Sequence, residues 1–111
     1  MTEYSNLMKK QIILIHGGDT ADSYREYLTN LKRANFDFQR LREERWKDSL
    51  GKKLGKSFEV IAPKMPNQQN AKYLEWKIWF EKLIPHFEPK VILVGHSLGG
   101  IFLAKYLAEN K

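Results

Sequence analysis

Three short runs along the chain are apolar at every position or nearly so. Ile12-Ile13-Leu14-Ile15 follows two lysines and ends in His16-Gly17-Gly18, Phe58 to Ala62 ends at Pro63, and Val91 to Val94 ends at Gly95. The first and third show no polar alternation, the pattern of strands covered on both faces in a parallel sheet. Helical spacing fills the intervals. In Ala71 to Ile84, Tyr73, Trp76, Phe80 and Leu83 form one stripe, Glu75, Lys77, Glu81 and Lys82 lie off it, and Pro85 ends the pattern. These aromatics are read as core rather than as ligand contacts. Ile101 to Ala108 is apolar almost throughout and predicts a helix buried against the sheet. The alternation of strands and helices predicts an α/β domain with a three-layer α/β/α architecture. About three parallel strands, in spatial order 2-1-3, are joined by right-handed crossovers.

The interval from Asp19 to Lys56 is longer than a simple crossover needs. Two helical pieces are predicted there, Ser23 to Arg33 and about Leu41 to Leu54, with a turn near Ala34 to Phe38. Trp46, Leu50 and Leu54, spaced by four, make the second piece the one packed on the sheet. Residues 1–10 read as an N-terminal extension and 11–111 as the domain. Within it, 20–45 reads as a helical insertion. That insertion carries Tyr24, Tyr27, Phe36 and Phe38, so it is either a lid or acyl pocket or an excursion that only adds core.

Composition narrows the function classes. With 111 residues, 42% of them hydrophobic, the chain is a globular single domain. The absence of cysteine excludes disulfides and thiolate chemistry and permits a cytoplasmic home. No signal peptide opens the sequence, and no apolar run is long enough to cross a bilayer. A net charge of +6 raises the question of nucleic acid, but the basic residues are interleaved with acids, as in Arg40 to Asp48. The expectation is no nucleic-acid and no membrane partner.

The chemistry lies at Gly95-His96-Ser97-Leu98-Gly99. A Gly-x-Ser-x-Gly between an apolar strand and an apolar helix is the pattern of a nucleophile elbow. A serine projecting from so tight a turn leaves no room for side chains two positions away, which explains Gly95 and Gly99 around Ser97. The Leu98 N–H, opening the helix, would point at a developing oxyanion. Gly100 would let the helix pack closely on the sheet. With strand one central, His16-Gly17-Gly18 meets the elbow where the winding direction reverses, the place where open α/β sheets bind ligands. Gly18, or its neighbours Gly17 and Asp19, would give the second oxyanion donor.

Taken together these residues resemble the N-terminal half of an α/β-hydrolase. They are most similar to the small serine hydrolases typified by retinoblastoma-binding protein nine and the bacterial YdeN-type proteins. The resemblance rests on Gln11 to Gly18, on Trp46 with Leu50 and Leu54, on Met65-Pro66-Asn67, on Trp76 and on Val91 to Gly100. It implies a serine hydrolase acting on a small-molecule ester, thioester or amide through an acyl-enzyme at Ser97, without cofactor or metal. It also implies a structural role for His16 in the family's His-Gly turn. The segment Thr20 to Arg45 departs from the family pattern.

In this fold the partners follow in the order serine, acid, histidine. After Ser97 the chain has neither histidine nor aspartate, only Glu109, which lies about 18 Å away along a helix. His86 precedes the third strand and belongs to the opposite edge of the sheet. His96 adjoins the serine and is read as packing beside the elbow. The third strand is also expected to be an uncovered apolar edge. A truncated reading frame, or one piece of a larger enzyme whose C-terminal part completes the fold, accounts for both features. A non-catalytic binding module is the alternative. An anion-binding helix N-terminus is weaker still, because the elbow lacks the Lys-Ser/Thr of a phosphate loop.

Overall fold

The computed structural model describes residues 10–42, 50 and 52–110. The predicted N-terminal extension, apart from Lys10, and Trp46 lie outside the described residues. Among the described residues three strands form one sheet: β1 (Lys10–Ile15), β2 (Phe58–Ile61) and β3 (Ile92–Gly95). All pair parallel in the order β2-β1-β3, with Ile12 opposite Val60 on one side and Ile92 on the other. The predicted α/β class and the 2-1-3 order are therefore present, as part of a larger fold type.

β1 is the axis of the molecule. Gln11 to Ile15 are buried, and Ile15 is fully so. An uninterrupted apolar strand fits only between two neighbours and beneath covering layers. β2 instead alternates half-buried and exposed positions, as a strand with one covered face does. β3 is the edge strand expected, but it is not covered on both faces as its apolar run suggested. Ile92 is 38% exposed and the other three residues are half-buried, because β3 is an edge strand with a single paired neighbour.

The helices are α1 (Tyr24–Arg33), α2 (Tyr73–Leu83) and α3 (Leu98–Glu109). Ser23 caps α1, its hydroxyl accepting from the Glu26 N–H at 3.1 Å. No residue of α1 is buried, and Tyr24, Phe36 and Phe38 are all exposed. Of the second predicted helical piece, residues 50 and 52–54 have helical backbone, and Leu50 and Leu54 are half-buried.

α2 and α3 carry the core. The stripe read from the sequence is the one that packs: Trp76 and Phe80 are buried, and Tyr73 and Leu83 line the same cluster. Phe102 and Tyr106 meet them from α3, with Phe80 edge-on to Phe102 at 5.4 Å and to Tyr106 at 5.0 Å. Two reciprocal hydrogen bonds tie the pair. The Tyr73 hydroxyl donates to Glu109 at 2.8 Å and the Tyr106 hydroxyl donates to Glu81 at 3.1 Å. α3 is not buried all round, as its composition suggested. Phe102, Leu103 and Tyr106 face the core, whereas Ile101 is 66% exposed and Leu107 49%.

Candidate active site at the β3–α3 turn

Ser97 sits between β3 and α3 with φ 54° and ψ −118°. A β-carbon disfavours this region, and holding a serine there costs about 1–3 kcal/mol. The surrounding glycines explain how the turn is possible. A Cβ on Gly95 would collide with the backbone of Gly99 and Gly100, and one on Gly99 would drive into the carbonyl oxygens of Ile15 and His16. The close approach of α3 to the sheet is thus made by Gly99. Gly100 is close to the strand as well: a Cβ on it would stand 3.3 Å from the Gly95 oxygen.

The first glycine pair lies across from the serine, as the strand order requires. A Cβ on Gly17 would stand 3.2 Å from the Ser97 Cβ and 3.2 Å from the His96 oxygen. The His96 N–H donates to the Ile15 oxygen at 2.9 Å and extends the β1–β3 ladder into the turn. Within the turn, the Gly99 and Gly100 N–H groups donate to His96 and Ser97 oxygens, both at 2.9 Å. Among the described residues, the N–H groups of Leu98, Gly17 and Gly18 have no such acceptor. Asp19 differs: its N–H donates to the Gln68 oxygen at 2.9 Å, and its own carbonyl accepts from Ala71 at 2.7 Å. Asp19 is therefore removed from the expected oxyanion donors, and Leu98, Gly17 and Gly18 remain.

His16 is held at both ring nitrogens. The Met65 N–H donates to Nε2 at 2.9 Å, so Nε2 is unprotonated and the proton resides on Nδ1, which faces the Gly17 oxygen. The ring is buried and stands edge-on to Trp76 at 5.4 Å. It ties the glycine loop to the segment after β2, and neither nitrogen is left to serve a nucleophile. His86 lies at the other end of the strands. Its carbonyl accepts from the Gln11 side chain at 3.4 Å, near the start of β1, roughly 16 Å from the elbow for a five-residue strand. His96 is exposed beside Ser97.

Several residues that support the site were not singled out by chemistry in the sequence. Met65 holds His16, and Gln68 holds Asp19. Trp76 donates its indole N–H to the Pro66 oxygen at 2.8 Å, fixing the same segment from below. Asn67 turns that segment with φ 51°. A Cβ on Gly18 would reach to 2.6 Å of the Gln68 oxygen, so this glycine is needed for the loop to seat at all. The Met65-Pro66-Asn67 run was signalled only as part of a resemblance, and Trp76 as a core residue and part of that resemblance.

A groove of about 230 Å³ opens beside the elbow. Leu98, Ile101, Phe102 and Lys105 of α3 form one wall, and Lys72, Tyr73 and Trp76 at the start of α2 form the other. Among the described residues of the insertion, Thr20 alone reaches it; the aromatics Tyr24, Tyr27, Phe36 and Phe38 do not line it. Desolvation and the hydrogen bond to Glu109 push the Tyr73 phenol up to about 12. No group of three or more His, Cys, Asp or Glu side chains suited to a metal converges among the described residues. No helix among them is long and apolar enough to cross a membrane.

Comparison with protein-family models, with curated proteins and with solved structures returned no match.

Proposed function

We propose that the chain carries the nucleophile half of a serine hydrolase of the α/β-hydrolase kind, acting on an ester, thioester or amide. The observation that supports this most is the left-handed φ of Ser97 between Gly95 and Gly99, with the Gly17 loop against it. Strain held at a single serine in a ligand crevice is the mark of a functional residue. The Ser97 hydroxyl adds to the substrate carbonyl carbon, losing its proton to a base. The oxyanion is received by the Leu98 N–H and by that of Gly17 or Gly18. Collapse of the intermediate expels the alcohol, thiol or amine, which takes the proton. Water then cleaves the acyl-enzyme by the reverse path and restores Ser97.

The base is a histidine from outside these 111 residues. His16 has both nitrogens engaged and His86 stands at the far end of the sheet. The edge of β3, unpaired among the described residues, and the exposed Leu107 of α3 are where polypeptide carrying that histidine and its acid would dock. In this reading the chain works in the cytoplasm. The test is a pre-steady-state assay with a p-nitrophenyl ester, on protein expressed from the longest reading frame that contains residues 1–111. A burst of nitrophenol equal to the enzyme concentration is expected, and Ser97→Ala should abolish it. A burst that survives in Ser97→Ala would refute the assignment.

A second reading is a binding module that keeps the crevice without the chemistry. It is favoured by the engagement of both His16 nitrogens. It predicts no burst from either protein, together with saturable ligand binding that Ser97→Ala leaves intact.

A further inference from the structure

The aromatic residues of α1 and of the loop after it serve neither the core nor the groove beside the elbow. In α1, Tyr24, Tyr27, Leu28 and Leu31 fall within an arc of about 100° and make one apolar stripe. Tyr27 and Leu31 are half-buried, and no residue of the helix is fully buried. Its main neighbour among the described residues is the turn Gln68–Asn70, not the sheet. Tyr24 is 71% exposed, and past the helix end Phe36 and Phe38 are 79% and 58% exposed. The rings stand in two pairs, Tyr24 with Tyr27 at 6.0 Å and Phe36 with Phe38 at 6.4 Å. So much apolar surface left in water marks a place of contact.

The charges around it are mainly basic. Arg25 and Lys32, seven positions apart, border the stripe on the Leu28 side. Arg40 and Arg42 follow Phe38, and the Arg42 guanidinium lies over the Phe38 ring at 5.0 Å. Two acids of the stretch are committed to backbone instead. Glu26 accepts from the Asp22 N–H at 3.2 Å, and Asp37 from the Gln39 N–H at 3.0 Å. Among the described residues, none of these four cations is paired with a carboxylate.

We propose that this stretch seats the protein on an anionic lipid surface, with α1 lying in the headgroup plane. A helix of ten residues, about 15 Å long, rests on a bilayer and cannot span one. The apolar stripe meets the acyl boundary, and Phe36 and Phe38, a few residues on, add two further rings. Charge complementarity selects the occupant. Arg25 and Lys32 lay their stems along the stripe and carry their charged heads to the acidic headgroups, and the net charge of +6 draws the whole chain the same way. Leu28 and Leu31 offer no stacking face to a base, which favours lipid over single-stranded nucleic acid. The proposal departs from the expectation of no membrane partner, which rested on the lack of a spanning run. It is independent of the hydrolase reading.

The test is co-sedimentation of the full chain with vesicles of phosphatidylcholine, with and without about one-third phosphatidylserine. Partition onto the anionic vesicles should be at least about tenfold stronger and should weaken as salt is raised. Replacing Phe36 and Phe38 together by serine, or Arg25 and Lys32 together by glutamine, should each lower it by about tenfold. All four side chains are exposed, so these variants keep the fold, which circular dichroism checks. Orientation gives a second readout. The chain has no cysteine, so Leu28→Cys and Asn30→Cys each carry a single nitroxide label. On anionic vesicles the label at position 28 should enter the lipid and that at position 30, on the opposite face, should stay in water. Equal partition onto both vesicles, indifference to both pairs of substitutions, or equal water exposure of the two labels would overturn the proposal. So would self-association of the chain, or capture of a single-stranded oligonucleotide, that the same variants abolish while no vesicle binding is seen.

Discussion

At Ser97 the backbone is held where a β-carbon is unwelcome, and Gly95, Gly99 and Gly17 are the residues that make room for it. Three variants test this packing. Ser97→Gly relieves the conformational cost but adds unfolded-state freedom, so urea unfolding should show a gain of about 1 kcal/mol in stability together with loss of any acylation. Gly99→Ala forces a methyl group into the Ile15 and His16 carbonyls. It should destabilise the fold by about 3 kcal/mol or more, visible as loss of a cooperative thermal transition. His16→Ala leaves the buried Met65 N–H without an acceptor, and a loss of about 2–3 kcal/mol by urea unfolding is expected. The elbow was legible because sterics at a tight turn act locally, so the glycine spacing alone announced it. The role of Asp19 was not, since its N–H is taken by Gln68, 49 positions away, and no local pattern records such a bond.

Among the elements, the strands and α2 declared themselves because their periodicity is set by the layer they face. β1 is apolar at Ile12 to Ile15 since it has neighbours on both sides, and the Tyr73, Trp76, Phe80 and Leu83 stripe is the face that packs. α3 misled. Its apolar character was read as burial, yet Ile101 and Leu107 face outward, because hydrophobicity records what a surface can cover and not whether a cover is present. The two tyrosine–carboxylate bonds between α2 and α3 were also invisible in the sequence. They give a pH dependence with a definite sign. The Tyr73 phenol is raised from 10.0 to about 12 by desolvation and by Glu109, so the folded state holds its proton more tightly than the unfolded chain. The stabilisation is fully present below about pH 10 and is lost as pH rises toward about 12. Alkaline unfolding of Tyr73→Phe should accordingly show a shallower slope in that window.

For the molecule as a whole, three parallel strands leave β2 and β3 as edges, and the elbow lies at the carboxyl end of one of them. The serine, its oxyanion donors and an aliphatic groove converge at that end, while both chain histidines other than His96 are committed elsewhere or distant. On the proposed reading the crevice offers a nucleophile and amide donors, and neither His16 nor His86 is placed to act as its base. Ser97 without that base retains only the acceleration that binding and the oxyanion site can give, about 10³- to 10⁴-fold over water. The most direct measurement is intact-mass and peptide mapping after exposure to an alkyl fluorophosphonate, on protein from the longest reading frame containing residues 1–111. A single phosphonyl adduct on the peptide bearing Ser97, absent in Ser97→Ala, is predicted. No adduct, or an adduct mapped to another residue, would contradict the account.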